Sequence, residues 1–242
     1  MTMSKKVCIE IGHRSPDTGA VSVIGGQTIR ESDINLVVGL ELMRQLQRHG
    51  VEVFINRTAW EGIALSDYFK KAAAMKPDAG ISVHSNSAAG TSAAGTAKGF
   101  EAFRQTNSFS SKSAELCKII EAEVKELGQS SRGIKVHFKQ SVNNYINSVP
   151  APYAYCELGF IDNPADYAQF NTEAKQKAFG TAYAKGILIF LGIAWKDETP
   201  PAPQEVLYRV QAGAFKDRRN AENLQAQLKS KGFNSVIMKS TP

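Results

Sequence analysis

The chain has 242 residues, of which 43% are hydrophobic, 9% aromatic and 21% charged, values that suit one main globular domain with an ordinary core and a small appendage. A formal net charge of +6 favours anionic partners such as nucleic acid, a membrane surface or a wall carrying acidic polymers, yet Lys and Arg are scattered, and no nucleic-acid motif surrounds the densest spots, Arg218-Arg219 and Lys229-Ser230-Lys231. No run approaches the roughly 18 apolar residues of a membrane span, which speaks against membrane insertion, and the start from Met1 to Lys6 is too short and too charged for a signal-peptide core. Synthesis in the cytoplasm is expected, with any external target reached by another route.

The first predicted strand, residues 7–11, ends in Gly12-His13 and a loop of turn formers, residues 14–20. A helix follows over residues 31–48, with Ile34, Val38, Leu42 and Leu46 four apart on one stripe, Glu31 in its first turn and Gly50 as its C-cap. Next come a strand over 51–55, a helix over 66–75, and a strand over 79–83 that ends at His84-Ser85-Asn86. The Ser, Ala, Gly and Thr run over 85–95 reads as a loop. Further strands are expected at 99–104, 134–138 and 154–157, with helices at 113–127 and 172–191. The three cysteines, Cys8, Cys117 and Cys156, form no CxxC pair and read as small core residues.

This alternation predicts an α/β fold, a mostly parallel twisted sheet with helices on both faces. Ligands of such sheets bind outside the carboxyl ends of the strands. His13, His84 and Glu157 fall at predicted strand ends, and Glu31 opens the first helix, so one sheet edge collects two imidazoles and two carboxylates. Two His and one Glu form an established catalytic zinc set. A further carboxylate beside the ion can take a proton from the attacking water and deliver it to a leaving amine. His13, Glu31 and His84 are accordingly assigned as ligands of Zn²⁺ and Glu157 as the acid/base. Each residue also has a structural reading, the His as hydrogen-bonded surface groups and Glu31 as a helix-start acid.

The stretches around His13 (12–20), Glu31 (31–36), His84 (82–86), Arg132-Gly133-Ile134-Lys135 and Glu157 (157–164), with Arg57 after a strand, resemble the ordered motifs of zinc N-acetylmuramoyl-L-alanine amidases of the amidase-3 type. The resemblance covers about residues 6–192. It implies zinc at His13, Glu31 and His84, catalysis by Glu157, and hydrolysis of the amide between muramic acid and L-alanine in peptidoglycan, as in a phage endolysin or a sporulation lytic amidase. The family motif continues Gly-His-Gly-Gly where this chain has Gly12-His13-Arg14-Ser15, a departure that bears on substrate preference. Arg57 is expected to form a structural salt bridge and Asn86 to lie near the site, while His49 and His137 are left outside it. Rival readings are a zinc peptidase acting on stem peptides and a non-catalytic wall-binding protein.

The catalytic domain is expected over 1–195 and a stiff Pro-rich linker over 196–205. In the final segment, 206–242, a strand over 207–215, a helix aligning Ala221, Leu224 and Leu228, and a strand over 233–238 form a β-α-β unit. This resembles the first half of a SPOR domain, a peptidoglycan-binding module. So short a segment buries little surface alone, so the chain is either cut short or completed by a second copy in a homodimer.

Overall fold

The computed structural model describes residues 4–89, 91, 93–197 and 210–239. The chain divides into two compact units, Met1–Asp197 and Glu198–Pro242. In the first unit, β1 (Lys6–Ile11) is followed by a hairpin of β2 (Val21–Ile24) and β3 (Gln27–Arg30), then α1 (Glu31–Arg48), β4 (Glu52–Ile55), α2 (Leu65–Ala74) and β5 (Ala79–Asn86). After β6 (Phe100–Arg104) come α3 (Ser110–Lys125), β7 (Ser131–Lys135), α4 (Gln140–Ser148), β8 (Tyr153–Phe160), α5 (Pro164–Tyr167) and α6 (Glu173–Phe190).

Six strands form one sheet in the order β4-β1-β5-β8-β6-β7. The first four are parallel, whereas β6 runs antiparallel to β8 and carries β7 parallel to itself. The expected mostly parallel α/β sheet is therefore present. The reversal has a simple cause: among the described residues no helix separates β5 from β6, so the chain re-enters the sheet from the end of the strands at which it left.

Side chains alternate between the two faces of each strand, and here the faces differ in kind. Val7, Ile9 and Ile11 of β1, Ile81 and Val83 of β5, and Ala154, Cys156 and Leu158 of β8 join one core with α1, α3 and α6. On the other face Cys8 and Tyr153 pack with Tyr68 and Phe69 of α2 and Ile146 of α4. That second cover stops part-way, and Glu10, His84, Tyr155, Glu157 and Glu101 continue the same face into a groove.

Several boundaries depart from expectation. The strand predicted at 134–138 lies at Ser131–Lys135, because it is an edge strand whose polar residues hide the alternation; Val136 and Phe138 are exposed beyond its end. The strand predicted to end on Glu157 runs on to Phe160, and all its residues but Tyr155 are buried. The hairpin around Gly25-Gly26, both at positive φ, carries the glycine-pair signal of a tight two-residue turn, and the expected elements leave its residues unassigned.

In the second unit α7 (Arg218–Ser230) is present, capped by the Asp217 carboxylate, which accepts from the Arg219 N–H at 2.8 Å. The two flanking strands are not formed in the described residues, 210–215 and 233–239; residues 207–209 of the first, and 198–205 of the expected linker, lie outside them. A strand needs a hydrogen-bonded neighbour, and none is seen: Val210 and Val236 are 96% and 84% exposed, and α7 has no buried residue.

Asp166 ties the end of β8 to the start of β6. Its Oδ2 accepts from Phe160 N–H at 2.7 Å and Gly99 N–H at 2.9 Å, and Oδ1 accepts from Gln129 Nε2 at 2.9 Å. Asp166→Ala leaves these buried donors unpaired, and urea unfolding is expected to show a loss of about 3 kcal/mol.

Candidate active site

Four distant pieces of chain meet at the carboxyl end of the parallel strands. Ile11 is held by Asn56, whose side chain accepts from its N–H at 2.8 Å and donates to its carbonyl at 3.0 Å. His13 follows with φ of 61°, a left-handed conformation that costs a non-glycine residue of order 1 kcal/mol or more. Arg57 holds the turn in place: its guanidinium donates to the carbonyls of Ile11, Gly12, Ala59 and Ser32, the last at 2.7 Å. Its expected salt bridge is thus replaced by carbonyl contacts, because a buried cation with five N–H donors can be satisfied by backbone alone.

Glu31, the first residue of α1, is buried at the centre of the site. Its Oε2 lies 3.1 Å from Nε2 of His13 and accepts from Ala20 N–H at 3.0 Å. Its Oε1 lies 3.0 Å from Nδ1 of His84 and accepts from Ser85 N–H at 3.1 Å. Burial pushes the carboxyl up, but the hydrogen bonds to both His rings outweigh it and hold Glu31 well below the usual carboxylate range. The two rings answer in kind. Burial opposes charge on His13 and His84, yet the neighbouring carboxylates raise both above the ordinary His value, most strongly His84.

The outer ring nitrogens are held by carboxylates that the sequence reading passed over. Nδ1 of His13 is 2.7 Å from Asp17 Oδ2, and Nε2 of His84 is 3.2 Å from Glu10 Oε2. Such outer carboxylates fix ring orientation and tautomer in metal sites. Glu10 had a readable signal, a lone charge inside an apolar buried strand. Gly12 lets the His84 ring lie against the backbone, since a Cβ there would stand 2.2 Å from His84 Cε1.

One ligating atom from each of His13, Glu31 and His84 falls within 4.8 Å of the others. Glu157 is directly across from His84 in the β5–β8 register. Its Oε2 is buried with no hydrogen-bond partner. Burial pushes this carboxyl up to about 8; His84 pulls it down, while Glu31 and Glu101 push further up. Glu101 is across from Glu157 on β6 and is paired with Arg132 and Lys135. The groove over these residues has a volume of about 1040 Å³.

All four predicted site residues are thus brought together. Asn86 lines the groove, its Oδ1 accepting from Ser87 N–H and its carbonyl from Ile161 N–H. His49 is structural, held by Gln45 and by Lys196 N–H. His137, expected outside the site, lines the groove.

Residues 7–188 match the family described as N-acetylmuramoyl-L-alanine amidase. The chain belongs to that family. Residues 204–242 match the SPOR domain. Over 236 residues the chain is 26% identical to the sporulation-specific N-acetylmuramoyl-L-alanine amidase of Bacillus subtilis, covering 96% of this chain and 84% of the relative. It is 30% identical over 200 residues to the endolysin of Bacillus phage SPP1, covering 80% and 69%. The fold is shared with the N-acetylmuramoyl-L-alanine amidase of Clostridium difficile 630, at a TM-score of 0.69 and 23% identity over 78% of this chain and 97% of that one. The enzyme is therefore a peptidoglycan amidase, acting between N-acetylmuramic acid and L-alanine.

If Glu10 orients His84 for metal binding, Glu10→Gln is expected to weaken divalent-metal affinity about 10-fold. Competition with a chromogenic chelator measures this, and circular dichroism checks that the fold is kept.

Proposed function

We propose that this amidase is a zinc enzyme in which His13, Glu31 and His84 hold the ion and Glu157 transfers protons. The observation that carries the reading is the set of three N/O donors within 4.8 Å of one another, with a buried, unpartnered carboxylate oxygen on the adjacent strand. The donor chemistry fits: two imidazoles and one carboxylate are an established zinc set. When bound, the ion would supply positive charge that polarises the scissile carbonyl and acidifies water.

The chain's own residues do the rest. Glu31 is kept ionised by its ring and backbone partners, and Asp17 and Glu10 hold the two rings from behind. The open oxygen of Glu157 accepts a proton from the attacking water. It then returns that proton to the L-alanine nitrogen as the C–N bond breaks, so the muramyl carboxyl and the peptide amine leave as separate products. The product distinguishes this reaction from cleavage within the stem peptide, since only the amidase frees the L-alanine amino group from muramic acid.

The C-terminal segment is proposed to hold the enzyme on peptidoglycan, supported by the SPOR match. Exposed Val210, Phe233 and Val236 favour its completion by a second copy in a homodimer. Release from the cytoplasm onto the wall is proposed on the likeness to a sporulation amidase and an endolysin.

Purified protein is expected to carry one zinc per chain by elemental analysis, and a chelator should abolish the clearing of peptidoglycan suspensions until zinc is restored. Glu157→Ala should keep the metal and lose about 10²–10⁴-fold in rate, whereas His84→Ala should lose both. Undiminished lysis by the Glu157 variant would refute its role. In sedimentation at micromolar concentration the dimer should appear, and a sharply monomeric profile would count against it.

A further inference from the structure

The groove extends past the four site residues along the segment that follows β7. His137 is buried there, and its position is over-determined. Its carbonyl accepts from Asn143 Nδ2 at 2.7 Å, and its Nδ1 accepts from Lys139 N–H at 3.0 Å. With Nδ1 used as an acceptor, the ring proton sits on Nε2, which has no hydrogen-bond partner among the described residues, in a ring that lines the groove. Burial lowers the ring's pKa below the ordinary His value.

The ring is wedged edge-on against Phe103 at 4.6 Å and Tyr155 at 5.3 Å between centroids. Tyr155 in turn stacks on His84 at 4.5 Å. Two ring contacts therefore separate His137 from the proposed metal ligands. At roughly 3.3–3.6 Å per extended residue, that is the reach of the second or third residue of a bound peptide. Phe138 is 82% exposed, stacked on His137 at 4.7 Å, with Lys139 Nζ 5.7 Å from its centroid. Lys139 has no carboxylate partner among the described residues, and Arg132 and Lys135 share the single carboxylate of Glu101. The wall therefore carries a surplus of positive charge beside one fixed neutral donor.

We propose that Lys135, His137, Phe138 and Lys139 form the subsite for the carboxylate-bearing stem peptide, on the amine side of the scissile bond. The two lysines face a free carboxylate, Nε2 of His137 donates to a peptide carbonyl, and Phe138 covers the chain. This rests on the amidase reading, but its test does not need turnover.

The probe is the peptide L-Ala-D-isoglutamyl-L-Lys, compared with the same peptide carrying a carboxamide in place of the isoglutamyl α-carboxylate. Calorimetry on the full chain with zinc is expected to show about three- to ten-fold weaker binding of the amide form, a gap that narrows at high salt. Lys139→Gln, an exposed change, should remove most of that gap. His137→Gln should weaken both peptides equally. Equal binding of the two peptides by the unaltered protein, or no binding of either, overturns the proposal. So does a Phe138→Ala variant that loses affinity for muramyl oligosaccharide and none for peptide, which would assign the wall to glycan. Release of L-alanine amino groups from intact peptidoglycan, measured in parallel, tests the amidase reading separately: cleavage without peptide binding sinks only the subsite, and binding without cleavage sinks only the amidase.

Discussion

The Glu31 carboxylate, buried between two imidazoles, is the interaction on which the site depends. An ionised carboxylate out of water is costly unless its lone pairs are filled. Glu31 meets that condition through the N–H groups of Ala20 and Ser85, the side chain of Asn35 and the two His rings. These partners come from the loop after β1, the second turn of α1 and the end of β5. The same carboxylate thereby ties three segments of the fold together. Its place at the first turn of α1 adds a further favourable field from the helix dipole.

Around that centre the backbone is set under constraint. His13 adopts a conformation better suited to glycine, and it stays there because Arg57, Asn56 and Asn35 bond the carbonyls of Ile11 and Gly12 that lead into it. Four of the groups that aim the site, Glu10, Asn35, Asn56 and Arg57, are buried polar residues with no place in an apolar core. Their role is geometric, to hold each ring in one orientation before any ligand arrives.

Much of this was legible in the residues. Helix α1 shows its stripe and its acidic start, and the alternation of strands with helices marks a mostly parallel sheet. His13, Glu31, His84 and Glu157 stood out as polar groups at the edges of such runs. The direction of β6 was hidden because it depends on a missing helix. Asp17 falls in a stretch of turn formers and His137 in an expected strand, and no local pattern points either of them at the site. In the tail, apolar alternation near Val210 and Phe233 predicted strands, but alternation gives only a strand's preference for a face. The hydrogen-bonded neighbour must come from somewhere else.

The helix-free connection between Asn86 and Phe100 has one more consequence. It enters the sheet beside the reacting groups, and Ala88, Thr91 and Ala93 line the groove from it. Among the described residues it is anchored to the segment after β8 by Ala88 N–H to Asp162, Asn163 Nδ2 to the Ala97 carbonyl, and Gly99 N–H to Asp166. Insertions between those anchors would reshape one bank of the groove without changing a single pairing in the sheet. Evolution can therefore retune which wall polymers this enzyme accepts while leaving the folded scaffold and its reacting carboxylates untouched.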